Sequence, residues 1–139
     1  MTRQDMEHAL EKLPAGAKSL LSDAKPFLLD IADELQEDII GIVCSSPHTR
    51  GNSALVVTPT RIIEMTTGGA MQVFPYSELA SVRAVPGKKK FFGGYDGSYL
   101  LIDSSSGGTR TYPLSLNSDH DWNTHIAAAA EAACKKYRL

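Results

Sequence analysis

The hydrophobic period changes twice along this chain, from helical to strand-like at Ile39 and back to helical near Asp119. Those two switches limit the fold more than any other feature. Helices belong to the two ends, and everything between must be strand and turn. With no helix left to cross between strands, the sheet has to be antiparallel. The expectation is an α+β domain with about seven strands, flanked by helical segments.

The strands read in order. Ile39 to Cys44 is a β-branched run too short for a helix of its own. Ala54 to Thr58 is a second strand, which Pro59 ends, and Arg61 to Met65 is a third. Gly68-Gly69 predicts a hairpin into a fourth strand, Met71 to Phe74. Pro75 to Leu79 reads as a tight bend, and Ser81 to Val85 alternates like a half-buried strand. Asp96-Gly97 predicts a hairpin between Lys90–Tyr95 and Tyr99–Ile102, and Thr109 to Leu114 is the last strand.

The ends are amphipathic. Met6, Leu10 and Leu13 share one helical face, and Pro14-Ala15-Gly16 interrupts it. Pro26 suits the first turn of a further helix. There Phe27, Leu28, Ile31 and Leu35 form the apolar stripe, with Asp30, Asp33, Glu34 and Glu37 on the wet side. Such stripes predict that residues 1–36 dock as a helical extension on a main body of residues 37–139. In the last helix, Trp122, Ile126, Ala129, Ala130, Ala133 and Tyr137 form a stripe that predicts a buried Trp122. Ser118, with Asp121 three residues on, suits its N-cap.

Composition narrows the class. A length of 139 residues suits one domain, and 42% hydrophobic residues support a packed core. A net charge of −2 gives no global basic field, so nucleic acid is not an expected partner. No stretch approaches the roughly 20 apolar residues that span a bilayer. The polar start, Met1 to Glu11, lacks the apolar region of a signal peptide. A cytoplasmic location is the expectation, with Cys44 and Cys134 as reduced, buried thiols.

Two segments carry a family resemblance. Ala54 to Ile63, with Thr58-Pro59-Thr60-Arg61 at its centre, resembles a strand, Thr-x-x-Arg turn and strand. Phe74-Pro75-Tyr76-Ser77-Glu78-Leu79-Ala80-Ser81-Val82 resembles an Ile-Pro-Tyr-x-x-Ile-x-x-Val segment. Both are similar to the bacterial pleckstrin-homology-like (PH-like) domains, the YokE-like group. The resemblance runs from about Ile39 to Tyr137. It implies a seven-stranded, partly open β-barrel capped by the C-terminal helix, and a role as an assembly module. It leaves the N-terminal helices and Lys88–Tyr95 unexplained. Read physically, Thr58 and Thr60 tighten a turn, Arg61 reaches back to carbonyls, and Tyr76 and Leu79 cover the barrel opening.

Catalytic chemistry finds no footing, and no catalytic residue, cofactor or metal is expected. Cys44 and His48 sit in a strand and the next loop, with nothing to bring them together. His120 and His125 are five residues apart, whereas two ligands on one helix face lie three or four apart. Phe92-Gly93-Gly94-Tyr95-Asp96-Gly97 lacks the Lys-Ser/Thr of a phosphate loop and precedes a strand. The chain reads as a non-enzymatic module that docks a protein partner or assembles with itself. The alternative is weak binding of an anionic membrane surface or phosphate ligand. Its candidate residues are Lys88, Lys89, Lys90, Phe91 and Phe92, with His48 and Arg50 from another loop. A solvated lysine hairpin is the plainer reading of the same run.

Overall fold

A computed structural model describes residues 2–13, 18, 22, 25–33, 35, 37–45, 53–66, 70–89, 95–96, 98–114 and 120–139. Two helices come first, α1 (Arg3–Glu11) and α2 (Lys25–Ala32). Thr2 caps α1 in a capping box with Asp5, so two otherwise orphaned N–H groups are satisfied reciprocally. Strands follow as β1 (Gly41–Ser45), β2 (Ser53–Val57), β3 (Arg61–Thr66) and β4 (Met71–Pro75). A single 3-10 turn, Tyr76–Glu78, leads into β5 (Leu79–Val85). Then come β6 (Lys88–Lys89), β7 (Tyr95–Asp96), β8 (Tyr99–Ser104), β9 (Thr109–Pro113) and α3 (His120–Tyr137).

The architecture is α+β with two antiparallel sheets. One has the order β1-β2-β3-β4 and the other β5-β8-β9. Two strand-level expectations change. The described residues hold nine strands rather than seven, because β6 and β7 form a separate two-residue ribbon. The sheets also do not close on each other as a barrel, since no strand pair joins them among the described residues. The Asp96-Gly97 hairpin is replaced as well. Asp96 lies inside β7 opposite Lys88, while Tyr99 to Ser104 pairs with β5 and β9. The Asp-Gly pair is a local signal, and the long-range pairing of alternating Ser81–Val85 with β8 prevails over it.

Strands β1 to β3 of the first sheet are buried on both faces, which explains why Ala54 to Val57 reads as an unbroken apolar run, whereas β4 at its edge is largely exposed. On one face Ile42, Cys44, Ala54, Val56, Ile63 and Met65 pack beneath Met6, Leu10, Leu13, Leu28 and Ile31. On the other, Val43, Leu55, Val57 and Ile62 meet Leu100, Ile102 and Tyr112 of the second sheet, and Ile126 and Ala130 of α3. Gly41 marks the closest approach of strand and helix. A Cβ there would lie 2.6 Å from Ile126 Cδ1. The predicted burial of Trp122 concerns a side chain outside the described residues, as do the Ser118 and Asp121 cap and the Gly68-Gly69 turn.

Candidate functional site

A sheet edge exposes backbone donors and acceptors, and whatever satisfies them decides where a partner can dock. Among the described residues, helix α3 covers two of the four edges of the two larger sheets with side chains. On β1, the outward N–H of Cys44 donates to Asn123 Oδ1 at 3.2 Å. On β5, Ala84 N–H donates to Glu131 Oε1 at 3.2 Å, and Val82 N–H meets the Cys134 sulfur. Burial pushes that thiol up. Arg138 then donates to the carbonyls of Leu79, at 2.7 Å, and Ala80. Glu131, Cys134 and Arg138 follow one helix face, so the helix stands where a neighbouring strand would.

The other two edges, β4 and β9, border a common slot. On β9, Pro113 brings no N–H, and its carbonyl accepts from Ser45 Oγ at 2.9 Å. The rest of that edge is polar, with Thr109 and Thr111. Strand β4 is different. Thr66 N–H donates to Ala70 O at 2.9 Å, and Tyr76 N–H donates to Thr60 O at 3.0 Å. These bonds flank the β3–β4 register and set its alternation. Ala70, Gln72 and Phe74 therefore bond inward to β3. Met71 and Val73 turn both N–H and C=O to the open edge. Their side chains are 50% and 39% exposed, and β4 contains no charged residue.

The slot measures about 530 Å³ and is lined by Val73, Phe74, Leu79, Ile102, Thr109 and Arg110 among others. At its side, the Arg110 guanidinium lies 5.5 Å from the centre of the Phe74 ring. It also lies 3.7 Å from Glu64, whose side chain is only 5% exposed. A charge in the middle of an apolar strand was the available sequence signal for Glu64, because burying one is costly without a partner.

Two further carboxylates fix the frame around these edges. Asp103 on β8 accepts from Ser81 at 2.6 Å, Arg83 at 2.9 Å and Thr109 at 2.7 Å, thereby clamping β5 and β9 to β8. Those bonds, Ser81 first, hold its carboxyl down at about 2. The folded value lies below the unfolded one of about 3.9. The stabilisation is therefore complete above about pH 4 and disappears as pH falls toward about 2. Denaturant titrations across that range should show a steeper loss for the natural chain than for Asp103→Asn. Parallel pH profiles would refute this role.

Glu37 ties the segment leading into β1 to the β2–β3 turn. Its Oε1 accepts from Thr58 at 2.7 Å, Thr60 at 2.6 Å and Arg61 Nε at 3.2 Å. Burial alone would push its carboxyl up, but the bonds from Thr60 and Thr58 and the Arg61 charge outweigh it and hold it low. Glu37 is thus turned inward rather than lying on a wet helix face. Arg61 meets a carboxylate, not the carbonyls expected of it. Tyr76, expected to cover a barrel opening, is fully buried, and its hydroxyl donates to Thr58 O at 2.8 Å.

Of the interaction residues proposed from sequence, Lys88 and Lys89 form β6 opposite Asp96 and Tyr95. Their side chains, and all of Lys90, Phe91, Phe92, His48 and Arg50, lie outside the described residues. Cys44 is buried, while His125 is exposed. No group of three or more metal-ligating side chains converges among the described residues. No described helix is long and apolar enough to cross a membrane.

No family model and no curated protein matches this chain. Among solved structures, it is similar to the C-terminal domain of an unknown protein from Leishmania infantum. The TM-score is 0.52 at 13% identity, over 78% of this chain and 97% of the other. That likeness concerns the fold alone.

Proposed function

We propose that this chain is a non-enzymatic interaction module of PH-like architecture, which receives a protein partner along β4 and the slot beside it. The observation that carries this reading is the unequal treatment of the sheet edges. Helix α3 seals β1 and β5 with side-chain hydrogen bonds, whereas β4 keeps an uncharged edge with two exposed apolar residues. Proteins usually blunt such an edge with charge, proline or cover, and strand addition is the binding mode that uses one left open. The PH-like part of the proposal has its own support. Four strands, three strands and a final helix follow the order of that fold, and the β6–β7 ribbon falls in the stretch the family pattern leaves over. Asp103 and Glu37 are engaged in holding strands and a turn, which suits a scaffold better than acid–base chemistry.

The alternative rests on the adjacent lysines of β6, which could meet an anionic surface through the Lys88–Phe92 stretch. Nuclear magnetic resonance mapping separates the two. Isotope-labelled protein would be titrated with extended peptides selected from a random library, and separately with phosphatidylserine vesicles. The module reading expects peptide-induced shifts at residues 70–76 that Val73→Lys removes. Vesicle binding that weakens with salt and shifts residues 86–96, with no peptide response, would replace it with the alternative.

A further inference from the structure

We infer that the partner β4 is built to meet is the β4 of a second copy of this chain, paired antiparallel about a two-fold axis through Gln72. This rests on the interaction-module reading above and names its partner. The backbone supplies the first argument. Within β4, Met71 and Val73 alone present both a donor and an acceptor to the open edge, and they are separated by one residue. A two-fold axis at Gln72 sets Met71 against the partner's Val73, and Val73 against the partner's Met71. Both become hydrogen-bonded pairs, so four free groups in each copy are satisfied together. Pro75 has no N–H to offer and ends the ladder on that side.

The side chains agree with this register. Met71 lies opposite Met65 and Val73 opposite Ile63, both in the cluster under the N-terminal helices. Met71 and Val73 continue that apolar face beyond its cover. Pairing two copies aligns Met71 beside the partner's Val73 across the join, extending the face from one sheet into the next. Gln72 meets its own counterpart on the axis, and an amide is donor and acceptor at once. The strand holds no charge, so no like charges face each other across the axis. A symmetric contact needs a surface complementary to itself, and this edge is one.

A contact limited to one short strand is small beside the roughly 800 Å² per partner of a stable complex, so the dimer should be weak and reversible. Gln72 supplies a direct test. On the axis it occupies a non-hydrogen-bonded pair, with Cα atoms about 4.5 Å apart, within the range a disulfide bridges. Gln72→Cys should give a cross-linked dimer under mild oxidation, at least about tenfold faster than Ala128→Cys on the exposed side of α3, since a disulfide requires Cβ atoms about 4 Å apart. The natural cysteines are both buried, which keeps the background low. Sedimentation velocity at about 500 μM should show dimer for the natural chain and monomer for Val73→Lys, with unchanged circular dichroism. Equal cross-linking at both positions, or a natural chain that stays monomeric, overturns the inference. If library peptides still bind at residues 70–76 of a monomeric chain, the module reading stands without it. If neither peptide nor second copy binds there, both fall.

Discussion

A chain lacking residues 1–35 is expected to lose its cooperative unfolding transition and bind apolar dyes. The reason is that β1, β2 and β3 have no wet face. Removing the two helices uncovers Ile42, Cys44, Val56, Ile63 and Met65 together. Burial of Met6, Leu10, Leu28 and Ile31 contributes on the order of 6–12 kcal/mol at 1.5–3 per side chain. That is comparable to the whole net stability of a domain, about 5–15 kcal/mol. Loss of Glu37's neighbourhood adds to this, because the carboxylate enters the fold directly after these helices. Calorimetry and dye binding on the shortened chain are the measurements. A sharp transition at an unchanged temperature would show that the helices are dispensable cover.

Tyr76→Ala should cost about 3–5 kcal/mol, the range for emptying the site of a large buried aromatic. Its ring is fully buried between the sheets, and it meets Tyr137 edge-on at 6.0 Å between centroids. The hydroxyl matters separately. Tyr76→Phe keeps the ring and removes only the bond to Thr58 O, so about 0.5–1.5 kcal/mol is expected. Burial raises the phenol's pKa, so it stays a neutral donor in the folded chain. Urea denaturation of both variants checks the pair of values. A Phe variant as damaged as the Ala variant would mean that the hydrogen bond, not the packing, dominates at this site.

The sequence exposed those parts of the fold whose cause is local. The β-branched runs within β1, β2 and β3 are strands because two buried faces demand apolar residues at nearly every position, with Ser45, Ser53 and Glu64 as the buried polar exceptions. Met6, Leu10, Leu13, Leu28, Ile31 and Leu35 announced a docking face by their spacing, although Phe27 of the same stripe is exposed. What stayed hidden depends on residues distant in sequence. Ser81, Arg83 and Thr109 look like ordinary strand polar residues until β5, β8 and β9 bring them to Asp103. Glu37 reads as one more acid on a wet helix, because nothing local says that the chain turns there toward Thr58 and Thr60. Asn123, Glu131 and Arg138 resemble a solvated helix face, and their role exists only once strand edges lie beside them. The open edge of β4 was illegible for the same reason. A strand's sequence does not say whether it has one neighbour or two. The Lys88–Phe92 proposal, with His48 and Arg50, rests on residues largely outside the described part of the chain.

The sealing of β1 and β5 by α3 has a consequence for how the chain is made. Both strands emerge from the ribosome well before residues 120–139 do. Until the last helix follows, the nascent chain carries raw edges at β1 and β5 in addition to β4, each a template for wrong pairing. Synthesis at about 5–20 residues per second leaves that interval lasting roughly 3 to 20 seconds. During it, the growing protein is most exposed to aggregation and most dependent on chaperones, and a ribosome stalled before Asn123 would hold it there.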